Sequence, residues 1–380
     1  MFRKLLIATA VAAAVSTTAH AAAITAGDLV IYRVGTGTGS LTSAATSVFM
    51  DEYTTTGTLV QSIAMPTSLS GSNNMLTASG TATSEGGLTL SADGKYLVLT
   101  GYNAATGTAS IASSASATYA RTVGLVNVST GAADTSTALN AFSGNNIRSA
   151  VSSNGTDIWV EGATTGVGYT TKGSTSMTTV SSTSANNRQL EIFNGQLYSS
   201  TGSGTSVGHI DQVGTGLPTT TGQVMTGLPG FPASGSQYSF FMADLNAGVA
   251  GMDTLYVADD ASGISKYSLV GGTWALKGTV GAAADAYRGL TGSVVNGNVQ
   301  LFATGNGGSG ATGGGKLVSI TDAAGYNGTF SATANTIATA AANEAFRGVV
   351  LTMPVPEPES YAMLLAGLGL MGFVASRRRR

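Results

Sequence analysis

Apolar and polar residues alternate in short runs along most of this chain, and the runs come in pairs. Each pair is split by Asn-Gly or Asp-Gly: "GLTLSADGKYLVLTG" (87–101), "RSAVSSNGTDIWVEG" (148–162) and "RQLEIFNGQLYSSTG" (188–202), with a longer form in "RGLTGSVVNGNVQLFATG" (288–305). Alternation with period two predicts strands with one face inward. Asn-Gly and Asp-Gly tolerate the positive φ of a tight turn, so each string predicts a β-hairpin. "YSFFMADL" (238–245) with "DTLYVADD" (253–260) forms another such pair across a longer loop. Further strand-like runs follow the hairpins, as in "VGLVNVSTG" (123–131), "ISKYSLVGG" (264–272) and "KLVSITDAAG" (316–325).

The units begin near 87, 148, 188, 240, 288 and 347, about 40 to 60 residues apart. An all-β chain that repeats a four-stranded sheet at this spacing is expected to be a β-propeller. The two ends complement each other. "FRGVVLTMP" (346–354) supplies a first strand and stops, while "GDLVIYRVG" (27–35), "SVFMDEYTT" (47–55) and "TLVQSIAMP" (58–66) supply three strands without a first. Joining them leaves no open sheet edge. Six blades are counted over 22–354, or seven if 103–121 holds further strands. A β-solenoid, with shorter repeats and no complementary ends, and a β-sandwich are the competing arrangements.

Charged residues make up only 9% of the chain, against roughly 25% in an average soluble protein. The 53 glycines and the wealth of Ser and Thr suit turns and strands more than surface helices. With no Cys there is neither disulfide nor thiolate chemistry. Six of the 17 bases and two of the 19 acids lie in the termini, so the body carries 11 against 17, a charge of about −6. Such a body has no basic face for nucleic acid.

Both termini look like addresses. Arg3 and Lys4, the apolar run 5–15 and the small-x-small Ala19-His20-Ala21 have the layout of a secretory signal, with signal-peptidase cleavage expected before Ala22 and a leader of 1–21. At the other end, Pro356 and Pro358 bar regular helix. An apolar stretch at about 361–376 then predicts one short hydrophobic helix, and Arg377, Arg378, Arg379 and Arg380 close the chain. Arginines there stay on the cytoplasmic side and place the body outside the inner membrane.

The segment 355–380 resembles the PEP-CTERM sorting signal of Gram-negative bacteria. It has the motif Val355-Pro356-Glu357-Pro358, one apolar helix and a terminal Arg cluster, in that order. The resemblance implies recognition by an exosortase at Pro356, Glu357 and Pro358. It also implies a transient inner-membrane intermediate, then cleavage and release to the cell surface or extracellular matrix, a setting of exopolysaccharide and biofilm. A plain C-terminal anchor is the alternative. Gly367-Leu-Gly369-Leu-Met-Gly372 matches G-x-G-x-x-G only in letters, since no acidic residue follows at the distance a dinucleotide site needs.

In the body, Arg148, Arg188, Arg288 and Arg347 occupy one repeat position, at the start of a unit's first strand. In a propeller those strands line the channel, so four planar guanidinium forks would ring one mouth and suit carboxylate, phosphate or sulfate groups. Each Arg pairing with the acid three residues earlier, or with the next blade, is the architectural alternative. Asp244, Asn246 and Asp253 offer a partial Ca2+ loop that lacks the terminal Glu, and no other cofactor is expected. His209 is the one His past the leader, without a G-x-S-x-G elbow. Asp259, Asp260 and Glu161 are left as acids for a glycan hydrolase or lyase. Trp159 and Trp274 are expected to pack between repeats. The sequence thus points to an exported, non-enzymatic propeller associated with exopolysaccharide, with the carboxylate enzyme as the alternative.

Overall fold

A computed structural model describes residues 22–202 and 209–353. The leader 1–21 and the sorting segment 355–380, with its expected helix, lie outside the described residues. Within them the chain is all-β. Two one-turn 3-10 segments, Ile111–Ser113 and Ala283–Asp285, are its only helical elements.

Four sheets each contain four antiparallel strands in chain order, beginning with Ile147–Ser152, Asn187–Phe193, Gln237–Ala243 and Gly289–Val295. The remaining strands join in one ten-stranded sheet. Within it, Leu88–Leu90, Tyr96–Tyr102, Arg121–Asn127 and Ala133–Leu139 form one unit. Glu344–Leu351, Leu29–Val34, Ala45–Tyr53 and Leu59–Ala64 form another. The expectation of separate sheets fails here because Ala45–Tyr53 is long enough to serve two partners. Its end, Phe49 to Tyr53, pairs with Leu59–Ala64, while Ala45 to Ser47 pair with the extra strand Thr77–Ser79, which leads on to Tyr102. The 103–121 stretch adds a 3-10 turn, with Ile111 buried beside Tyr102 and Ala104, and contributes a strand only at its last residue.

Two of the four hairpin signals form the tight turn, whereas at Asp93-Gly94 and Asn154-Gly155 only the glycine has positive φ and a longer loop joins the strands. Asn194-Gly195 and Asn296-Gly297 have positive φ at both positions (48° and 72°; 51° and 79°), the geometry of a type I′ turn between two-residue-linked strands. Burial separates inner strands from some outer ones. Ile147–Ser152 and Leu29–Val34 are buried throughout, whereas Leu59–Ala64 and Asn335–Thr339 are largely exposed. Outer strands therefore tolerate the Ser and Thr that fill this sequence.

Apolar cores lie between units. Val98, Leu125 and Leu139 meet Ile147 and Ile158, and Trp159 meets Leu190, Leu197 and Met225. Trp274 joins Ile210, Phe240 and Leu255, while Tyr256 and Ile264 meet Leu290 and Leu301. The last unit meets the first through Phe302, Leu317, Ile31 and Phe346, and the first meets the second through Tyr32, Met50, Leu88 and Leu97. Both tryptophans thus pack between units, and Trp159 also donates its indole N–H to the Pro218 carbonyl at 2.7 Å. One seam holds a fully buried ion pair. Lys266 Nζ lies 2.7 Å from Asp322 Oδ2, which also accepts from the Tyr256 hydroxyl, while Lys266 donates to the Gly325 carbonyl. These extra bonds offset the desolvation that makes an isolated buried pair costly.

Glu344–Leu351 pairs antiparallel with Leu29–Val34, so the C-terminal strand completes the N-terminal unit. Phe346 is buried there and meets Tyr53 edge-on at 6.0 Å. Phe346→Ala is expected to lower unfolding stability by about 3–5 kcal/mol in urea titration. A loss below about 1 kcal/mol would mean that this seam contributes little.

Candidate functional site

Arg148, Arg188 and Arg347 stand near the start of a unit's first strand, and Arg288 directly precedes one. Backbone bonds set these strands side by side. Gly87 donates to the Arg148 carbonyl, Ser239 to the Arg288 carbonyl, and Gly348 to the Gly86 carbonyl. Arg188, Arg288 and Arg347 come together around one cavity of about 30 Å3, with Tyr238 and Glu85. That volume admits one or two waters and no sugar ring.

The guanidinium groups are already engaged. Arg148 Nη1 donates to Asn186 Oδ1 (2.7 Å) and to the Asn187 carbonyl (2.9 Å) of the next unit. Arg188 Nη1 donates to the Tyr238 hydroxyl at 2.5 Å. The Arg188 and Arg288 guanidinium carbons also sit 4.4 and 5.1 Å from the centre of the Tyr238 ring. Arg288 pairs with Asp260 at 2.8 Å, not with Asp285 three residues earlier. Arg347 donates to the carbonyls of Gly80, Gly307 and Gly308, while Glu344 pairs with Arg33 instead. Every one of the four reaches a neighbouring unit, the contact that the architectural alternative requires.

Burial lowers Arg148 and Arg347 to about 10, with Arg188 and Arg288 respectively adding to the effect by repulsion. The Glu85 charge partly offsets the burial effect on Arg347. Glu85 accepts from the Tyr102 hydroxyl (2.6 Å), Ser79 N–H and Asn146 Nδ2, and its pKa is raised because burial outweighs these bonds. Tyr238 occupies the arginine position of its own unit and Glu85 precedes a first strand. The repeat alignment alone points to Tyr238; no sequence signal marks Glu85.

The other candidate groups are scattered. Asp253 is buried and accepts from the N–H groups of Leu245 and Asn246 and from Thr254, which ties up its loop, while Asp244 is exposed. Among the described residues no three His, Cys, Asp or Glu side chains cluster as metal ligands. His209 is buried, its Nδ1–H donating to the Thr201 carbonyl at 2.9 Å. Asp259 accepts from the N–H groups of Ser236 and Ala261 and from Gln237, so neither it nor Asp260 is left open.

Glu161 is fully buried, accepting from Ser199 (2.6 Å) and Asn187 (3.2 Å) on Oε2, with no partner for Oε1 among the described residues. Burial pushes it up to about 8, so it holds a proton at neutral pH. The folded state then binds a proton that the unfolded chain releases above about 4.5, and the contribution of Glu161 to stability falls as pH rises from about 5 to 8.

Three variants test this geometry. Glu161→Gln is expected to flatten the loss of stability between pH 5 and 8 by up to about 1.4 kcal/mol per pH unit, read by denaturant titration at several pH values; an unchanged slope would refute the buried acid. Arg347→Ala is expected to lower stability by about 2 kcal/mol or more, because three carbonyls lose their donor. For Arg188→Ala with Arg288→Ala, a fallen melting temperature with unaltered retention on acidic polysaccharide identifies fasteners, and the reverse identifies a binding site.

Residues 354–380 match the PEP-CTERM protein-sorting motif. No curated protein matches the chain. Among solved structures, a candidate 6-phosphogluconolactonase from Bacteroides uniformis is similar at 13% identity, over 83% of each chain, with a TM-score of 0.43. A protein of unknown function from Bacteroides thetaiotaomicron is similar at 8% identity, over 65% of this chain and 60% of that one, with a TM-score of 0.41. The computationally designed Ika8 protein is similar at 9% identity, over 79% and 98%, with a TM-score of 0.37. None of these likenesses reaches the closeness that would support a statement about fold or activity. Among the described residues no helix is long and apolar enough to cross a membrane. The sorting motif makes this an exported protein, sent to the cell envelope or surface and processed by an exosortase.

Proposed function

We propose that the mature protein is a non-enzymatic six-bladed β-propeller, released by its exosortase into the surface layer or extracellular matrix and associated there with exopolysaccharide. The sorting motif at 354–380 carries the destination. Supporting the propeller are the six antiparallel units, the core between each consecutive pair, and the seam between last and first. In this reading the signal peptidase removes 1–21, and the helix at about 361–376 holds a transient inner-membrane intermediate. Favouring a non-enzymatic role, the acids Glu161, Asp259 and Asp260 are all engaged, and the arginine cavity has about 30 Å3. A cavity of that size offers acidic glycan at most a single carboxylate or sulfate oxygen.

Intact mass and cell fractionation with and without the exosortase test this. The expected result is a chain lacking both termini at the surface or in the medium of wild-type cells, and retention in the inner membrane when the exosortase is deleted. A chain still ending at Arg380 in both strains would make the tail a simple anchor and remove the matrix assignment.

A further inference from the structure

We propose that a second cavity, bordered by five first strands, binds a small organic ammonium ion between the Glu191 carboxyl and the rings of Phe193 and Phe241. The cavity opens to solvent and has a volume of about 230 Å3, enough for a small organic ion. Its walls come from Leu88–Leu90, Asn187–Phe193, Gln237–Ala243, Gly289–Val295 and Glu344–Leu351, and are mainly apolar. Glu191 is the one charged residue that lines it. Of the wall hydroxyls, Ser91 donates to Asp93 and Thr291 accepts from Leu351 N–H.

Glu191 is held on one side only. Its Oε1 accepts from Gln189 Nε2 at 3.1 Å, and the same amide also contacts the Leu88 carbonyl at 3.3 Å. Among the described residues no donor reaches Oε2. Glu191 is half-buried and its Oε2 stays open to solvent, so a cation entering the cavity meets it directly. The three Phe rings beside it, Phe193 lying 5.9 Å from Phe240 and 6.3 Å from Phe241, supply electron-rich faces that favour an ammonium over a neutral group. A hard metal ion is not suited, since it needs six or more oxygen ligands and the wall has one free carboxyl oxygen.

The charges nearby agree with a cation. Arg188, Arg288 and Arg347 face the other cavity, Arg148 is turned to Asn186 and Asn187, and Glu344 pairs with Arg33. Glu161 is the group whose charge acts on Glu191, and burial with that repulsion pushes Glu191 up to about 8. An ammonium must therefore displace a proton at neutral pH. Its affinity rises about tenfold per pH unit below pH 8 and levels above it, while the amine itself stays charged to about pH 10.

Calorimetric titration of the exported protein with n-butylammonium and with n-butanol, at pH 6, 7 and 8, tests the site. Expected are binding of n-butylammonium that tightens with pH, n-butanol weaker by about tenfold or more, and a similar loss in Glu191→Gln at an unchanged melting temperature. Equal binding of the two ligands, no ammonium binding at pH 8, or full binding by Glu191→Gln would overturn the proposal. Should Glu191→Gln not fold, Phe241→Leu serves instead. A loss of about threefold or more supports the ring contact, and undiminished affinity overturns it.

Discussion

The pairing of Leu29–Val34 with Glu344–Leu351 joins residues at opposite ends of the described chain, and much of the fold hangs on it. Arg33 reinforces it, bonding Asp51 in its own unit and Glu344 on the incoming strand 311 residues away, while its guanidinium lies 4.1 Å from the centre of the Phe49 ring. Without the C-terminal strand, Ile31 and Leu29 lose Phe346 and Val349, and the first unit lacks its innermost member. Contacts of such sequence separation reward the chain only after a large loop-closure cost. The first unit is therefore complete only once nearly the whole body is available. The sorting motif begins at 354, directly after this closing strand ends at Leu351, so the element that completes the first unit and the element that is sorted are almost adjacent in sequence.

A chain so poor in charge fastens its units with other polar groups. Thr89 Oγ1 donates to the Ala150 carbonyl, Ser149 Oγ accepts from Leu190 N–H, and Thr304 donates to the Arg347 carbonyl. Each bond crosses from one unit to another. The repeated arginines also reach across to neighbouring units, with longer side chains. Architecture repeats from unit to unit, whereas a binding site is usually made once. Glu191 fits the second description: it has no acidic counterpart on the wall of its cavity.

The sequence by itself determined the strands, the turns and the destination. Asn-Gly between alternating residues fixes a hairpin locally, because φ > 0 is a property of those residues and not of their surroundings. The complementary ends were legible too, since a unit without a first strand and a first strand without a unit each leave an edge that must be paired. The sorting segment is read as a linear string by another protein and needs no fold around it to be recognised in sequence.

Tertiary structure decided what the polar side chains do. Arg347 and Glu344 are three residues apart, yet one bonds carbonyls of Gly80, Gly307 and Gly308 and the other bonds Arg33, because neighbouring side chains on a strand leave in different directions. Tyr238, Glu85 and Glu191 gained their meaning only when distant strands enclosed them. Burial is a property of the assembled sheets, and the raised acids at Glu161 and Glu191 follow from burial. Local pattern specifies an element through the backbone of its own few residues. Charge, proton and ligand are governed by whatever the other units bring alongside, which no short stretch of sequence contains.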